Sequence, residues 1–208
     1  MTRTVDTRSK ILEVAQTEFA TSGYAGAHLQ KIAEQIGVQK TALYYYFNSK
    51  RALYTAVLEA MLLDFDRTVA DALDVEESHT ERLDRLVTQL NDLLAEHPNY
   101  ARILIRIFVD APEVESDRLS PLIRSVINRV LEFFRAGADA GAFRKLSSRH
   151  VFQSVLGMTV FHYAASPFSA TVLGVEDIFT RQAVAWRRQE VLNFVSGGAV
   201  KNPARDPE

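Results

Sequence analysis

Between Lys31 and Arg51 the chain gathers side chains suited to gripping an anionic polymer, and past Glu34 it keeps acids away from them. Lys31, Lys40, Lys50 and Arg51 lie in or beside the stretch LQKIAEQIGVQKTALYYYFNSK (29–50), where Tyr44, Tyr45 and Tyr46 run together, and no Asp or Glu occurs between Glu34 and Glu59. Such a surface offers hydrogen bonds and charge neutralisation to phosphates rather than bond cleavage. Catalytic constellations are lacking: His28, His79, His97, His150 and His162 have no ligand spacing, and no nucleophile-elbow, phosphate-loop or zincin string occurs. We therefore expect neither an enzyme nor a bound metal or cofactor. His162 with Tyr163, inside an otherwise apolar run, reads either as a satisfied core pair or as the polar group of a ligand pocket.

The elements that must position the basic stretch read as a helix-turn-helix. Leu29, Ile32, Ala33 and Ile36 form one apolar stripe of a short helix, Gly37 ends it, and Val38 plugs the angle to the next helix. That second helix spans about Gln39 to Phe47, with Ala42, Leu43 and Phe47 inward, which leaves Gln39, Lys40, Thr41, Tyr44 and Tyr45 mainly outward. A preceding helix, Thr7 to about Ser22 with Ile11, Leu12, Ala15 and Phe19 on its stripe, stops at Gly23 and completes a three-helix unit. Asn48 or Ser49 caps a long fourth helix running to about Asp74. Lys50 and Arg51 in its first turn oppose the helix dipole, so an anion at that helix end would reverse the sign of their cost.

Composition bounds the rest. The 208 residues are 47% hydrophobic and 24% charged, an ordinary globular balance with no cysteine, which fits a reducing compartment. The net charge of -2 hides an asymmetry: residues 1–56 hold seven Lys/Arg against four Asp/Glu, while the remainder is acidic. The N-terminus, MTRTVDTRSK, lacks the apolar segment of a signal peptide, and a cytoplasmic location is expected. After an acidic loop at 74–81, helices are predicted at Arg82–Glu96, Tyr100–Val109 (closed by Pro112 and acids to Asp117), from Ser120-Pro121 into AGADAGA, at Ser148–Ala165, and from Asp177 to about Val195. The uncharged run 151–175 is long enough to raise a membrane span, but its polar residues, Gly157 and Pro167 argue for a helix buried on most of its circumference. Such a helix in a small domain faces its own core and a second subunit. Two helices of this kind meeting their symmetry mates would build a four-helix interface, here from Phe161, Ile178, Ala185, Trp186 and Leu192. The fold class is therefore all-α, about nine helices, and the tail from 197 is expected to be disordered.

The spacing Ile32-Ala33, Gly37-Val38, Leu43-Tyr44-Tyr45-Tyr46-Phe47 and Lys50 with Leu53 resembles the DNA-binding segment of TetR-family transcriptional repressors, over about Ile11 to Leu53. The resemblance implies a homodimer built on the last two helices, a near-palindromic double-stranded operator, and release by a small hydrophobic effector bound in the C-terminal body. It divides the chain into a DNA-binding domain (1–53) and a ligand-binding and dimerisation domain (54–196). Carried over by position, Gln39, Lys40 and Thr41 face base edges, while Tyr44, Tyr45, Tyr46 and Lys50 hold phosphates. His28 stands where the family has a hydroxyl helix cap and phosphate contact, and Arg51 where it often has an acid. Met61, Phe65, Phe108, Phe134, Met158 and Phe161 would wall the pocket, with His162 as its polar group. The alternative is an all-α small-molecule sensor or carrier whose helix-turn-helix contacts protein.

Overall fold

The structure is a computed structural model that describes residues 7–110 and 116–201. Among these residues ten helices follow one another: α1 (Thr7–Gly26), α2 (Leu29–Gln35), α3 (Lys40–Tyr46), α4 (Lys50–Leu73), α5 (His79–Glu96), α6 (Pro98–Asp110), α7 (Ser116–Asp139), α8 (Ser148–Ala164), α9 (Ser166–Leu173) and α10 (Arg181–Ala199). Among the described residues the only extended pairing is a single antiparallel bridge between Phe143 and Val200. The all-α reading holds. The expected stop at Pro112 lies outside the described residues.

Several boundaries moved for identifiable reasons. α1 carries a break where expected, because Gly23 leaves helical geometry at φ 70 before the segment ends. α5 begins before Arg82 because Ser78 and Glu81 form a reciprocal capping box: the Glu81 N–H donates to Ser78 Oγ (3.2 Å) and the Ser78 N–H to Glu81 Oε2 (2.9 Å). α7 begins at Ser116, leaving Pro121 inside it. Pro167 both stops α8 and, near the first turn of α9, starts an unforeseen helix. α10 starts at Arg181, capped by Thr180, whose Oγ1 accepts from the Ala183 N–H. It also runs past Val195, so 197–201 are ordered: the Lys201 N–H donates to the Ala142 carbonyl (3.0 Å) and the Arg144 N–H to that of Ala199 (2.8 Å). Residues 202–208 lie outside the described residues.

α4 joins the two parts of the molecule. Leu53 to Leu58 are all buried, so this turn and a half is surrounded on every side. Its first half packs into a core with Phe19, Ile32, Leu43 and Phe47 that continues to Tyr100, Ile103 and Tyr163. Its last turns, at Val69, Ala72 and Leu73, enter a second core with Leu83, Val130, Phe133 and Val191.

Candidate nucleic-acid interface and body cavity

The turn between α2 and α3 is closed by backbone chemistry that the sequence encodes. Gly37 takes φ 74, its N–H donates to Glu34 O (3.1 Å), and the Val38 N–H reaches Ala33 O (3.0 Å). This is the paired bonding of a Schellman motif, which only a residue tolerant of left-handed geometry completes without strain. α3 then buries Leu43, half-buries Ala42 and Tyr46, and leaves Lys40, Thr41, Tyr44 and Tyr45 exposed, with Gln39 exposed at its N-cap. Tyr45 is 84% exposed and meets the edge of the Tyr46 ring at 5.1 Å. One face of a two-turn helix thus presents amide, ammonium and hydroxyl groups with no carboxylate among them.

Behind this face, α1, α2 and α4 meet at a polar corner whose centre the sequence reading missed. His28 is the N-cap of α2 and makes no side-chain cap, as its residue type implies. Glu18 substitutes for it from α1: this 3%-exposed carboxylate accepts from the His28 N–H (3.4 Å), Ser22 Oγ (3.1 Å) and Lys31 Nζ (2.6 Å). Burial pushes the Glu18 pKa up, but the hydrogen bonds from Lys31, Ser22 and the His28 N–H prevail and hold it below its usual value. Its place on the Ile11–Ala15 stripe was the available signal.

Lys50 has a second occupation. Its ammonium donates to Ala25 O (3.0 Å) and lies over the Tyr24 ring (5.1 Å), and burial lowers its pKa while Glu18 opposes that shift. A cation at the start of α4 is therefore accounted for without an external anion, since it sits against the carbonyl end of α1. Arg51 and His28 are exposed, and Ser49 rather than Asn48 caps α4, accepting from the Ala52 N–H (3.0 Å).

The body holds a cavity of about 560 Å³ bounded by α4, α5, α6, α7 and α8. Met61, Phe65, Phe108 and Phe134 line it, together with Leu62, Leu83, Leu86, Leu90, Leu104, Ile107, Ile123, Val130, Phe152 and Val160. Among the described lining residues Thr159 carries the one hydroxyl, already donating to Val155 O (2.8 Å). Phe108 and Ile123 are exposed, which puts the mouth between the end of α6 and α7. Three expected wall residues lie elsewhere. Met158 lines a groove between α8 and α10, Phe161 is 52% exposed on the outer surface, and His162 is buried without reaching the cavity. An apolar helix has no polar face to fix its rotation, so periodicity could not assign these three.

His162 sits instead among α8, α9 and α10. Its carbonyl accepts from Ser169 Oγ (2.9 Å), its ring meets Tyr163 edge-on (4.7 Å), and burial, then the nearby Arg187 charge, pulls its pKa down to about 4. Tyr163 OH donates to Asn91 Oδ1 (2.9 Å). Of the residues expected at a subunit interface, Phe161, Ala185 and Trp186 are exposed and Leu192 half-buried. Ile178 is corrected: at 1% exposure it belongs to the protomer's own core, because the chain is still turning toward α10 there. Among the described residues no His/Cys/Asp/Glu group could hold a metal ion and no helix is long and apolar enough to cross a membrane.

Residues 11–57 match the model for bacterial regulatory proteins of the tetR family, and residues 80–195 match the tetracyclin repressor-like C-terminal domain. The chain is 26% identical over 206 residues to the HTH-type transcriptional repressor NicS of Pseudomonas putida, covering 96% of this chain and 93% of that one. It is 25% identical to the HTH-type transcriptional regulator RutR of Escherichia coli O157:H7, over 88% and 87% of the two chains. Bacillus subtilis FadR, solved in complex with stearoyl-CoA, shares the fold at a TM-score of 0.70 and 18% identity, covering 91% of this chain and 98% of its own. These relatives are named as transcriptional regulators, not enzymes. With both halves of the chain matched and the α2–α3 surface in place, the protein belongs to the TetR family and is a DNA-binding transcriptional regulator.

Proposed function

We propose that the protein is a homodimeric repressor that reads a near-palindromic operator and leaves it when a small hydrophobic effector fills the body cavity. Residues 1–53 act as the reader, and 54–196 as the effector-binding and dimerisation body. Gln39, Lys40 and Thr41 face base edges, with amide and ammonium groups bonding to purines and the threonine methyl against thymine. Tyr44, Tyr45, Tyr46, Arg51 and His28 hold phosphates. Lys50 joins them through whichever of its three N–H donors Ala25 does not use. Two copies place their α3 helices about 34 to 36 Å apart, one DNA turn.

The second copy docks on α8, α9 and α10. Phe161, Phe168, Val172, Leu173, Trp186 and Phe194 are all exposed there, an apolar patch larger than single surface hydrophobes explain. The cytoplasm is the expected site of action.

The observation that carries the effector reading is the cavity wall, whose described residues are all apolar except Thr159. Burying an ionised group there would go uncompensated, so the ligand is a hydrocarbon chain or ring system whose polar head stays at the mouth by Phe108 and Ile123. The stearoyl-CoA in the FadR relative has that form. Selection of bound DNA from a random pool tests the reader: an inverted repeat is expected, and recovery of unrelated single sites would overturn the dimeric reading. A series of acyl-CoA esters of increasing chain length then tests the cavity by melting temperature and by release from the selected DNA. Esters that stabilise the protein yet leave DNA affinity unchanged would remove the switching part.

A further inference from the structure

Like α4, α6 touches both the cavity and the reader. α6 turns Leu104, Ile107 and Phe108 to the cavity. Along its other edge, Asn99 Nδ2 donates to Thr17 Oγ1 (3.2 Å), Arg106 Nε to Ala20 O (3.0 Å) and Arg106 Nη2 to Thr21 O (2.6 Å). Residues 99 and 106, seven apart, fall on one stripe, while 104 and 108 lie on the opposite side and 107 about a quarter turn away. The acceptors are telling. Ala20 and Thr21 are among the last carbonyls before the backbone breaks at Gly23, so a guanidinium there meets the negative end of a helix through charge-assisted bonds. Glu18, one turn back on α1, is the group that caps α2 through the His28 N–H and Lys31.

We propose that Arg106 is the positioning residue through which cavity occupancy reaches the reader, by a route separate from α4. A filled cavity displaces α6; Arg106 carries that displacement to the end of α1, and the Glu18 corner passes it to α2 and α3. The idea rests on the reading of the cavity as the effector site, so its test uses no effector. Leu104→Trp fills the cavity genetically, and its effect on binding to the DNA fragment recovered from the random pool is measured in two backgrounds, native and Arg106→Ala. The expected result is a loss of about tenfold in the native background and under about threefold in Arg106→Ala, a coupling that a merely structural arginine would not produce. Arg106→Lys, which still supplies a cation to the same carbonyls, restores part of the sensitivity. Equal losses in both backgrounds, or none in either, overturn the proposal and leave α4 as the carrier. Melting temperatures of all variants are recorded, and Val160→Trp, filling the same cavity from α8, replaces Leu104→Trp if the latter fails to fold. Failure of the effector reading would show separately, as acyl-CoA esters that never stabilise the protein while the two-background difference persists.

Discussion

The proposed reader surface and the body cavity are built in opposite ways. On α3, Gln39, Lys40, Thr41, Tyr44 and Tyr45 each present a separate polar group to the outside, and no neighbour can substitute for the loss of one. In the cavity, Leu83, Leu86, Leu90, Val130 and their companions contribute only volume and apolar surface, so that a change at one is absorbed by the others. Polar recognition is therefore specified side chain by side chain, whereas apolar recognition is specified by a sum.

The sharpest way to break this contrast is to remove what the reader stands on. Phe19, fully buried and 4.8 Å from the Tyr54 ring, should cost about 3 to 5 kcal/mol of stability when replaced by alanine, read by chemical unfolding and accompanied by loss of DNA binding. Next come Gln39→Ala and Lys40→Ala, each expected to weaken binding to selected DNA by about 1 to 3 kcal/mol and to relax base preference, with the melting temperature unchanged. The matched cavity change, Leu86→Met, conserves volume and should cost under about 1.5 kcal/mol of stability without altering DNA affinity. If Leu86→Met weakened DNA binding as much as Lys40→Ala, the division of labour would be wrong.

Acid should separate the two regions by pH. His162, neutral and held to about 4 in the fold against an ordinary 6.5, makes the body lose stability as pH falls from 6.5 toward 4, because the unfolded chain takes up a proton that the folded one refuses. The carboxylate of Glu18, held below its ordinary 4.5, contributes stability that is present above that value and lost only further into acid. His162→Gln should flatten the melting temperature between pH 6.5 and 4.5, a range that Glu18→Gln should leave alone. The smallest effect is expected from Arg51→Ala, exposed at the start of α4: the salt dependence of DNA binding should become shallower by about one unit of slope, with little change in base preference. An unchanged slope would take Arg51 out of the phosphate contacts.

Legibility in the sequence followed the same division. The helix-turn-helix was readable because Ile32, Ala33, Gly37, Val38 and Leu43 each have one role that their type and spacing reveal. Glu18 was overlooked although it lies on the Ile11–Ala15 stripe, since an acid there makes sense only once His28 is seen to leave α2 uncapped. Ser78 and Glu81 carried the start of α5 at capping-box spacing, inside a stretch whose acidity suggested a loop. Pro167 was weighed as a terminator and not as the opening of α9. Met158, Phe161 and His162 were misassigned because α8 is apolar around most of its girth, and only the neighbours it packs against decide which residue turns to the cavity.

Tyr45 carries a consequence of another kind. Its ring stands almost wholly in water yet rests edge-on against Tyr46, which is half sunk into the reader's core. With two rotatable bonds and one wall supplied by Tyr46, the side chain has fewer rotamers to lose in the proposed phosphate contact than it would have with alanine at 46. Complex formation should accordingly show a smaller entropic penalty for the native protein than for Tyr46→Ala, a difference visible in the temperature dependence of binding even where the affinities are similar.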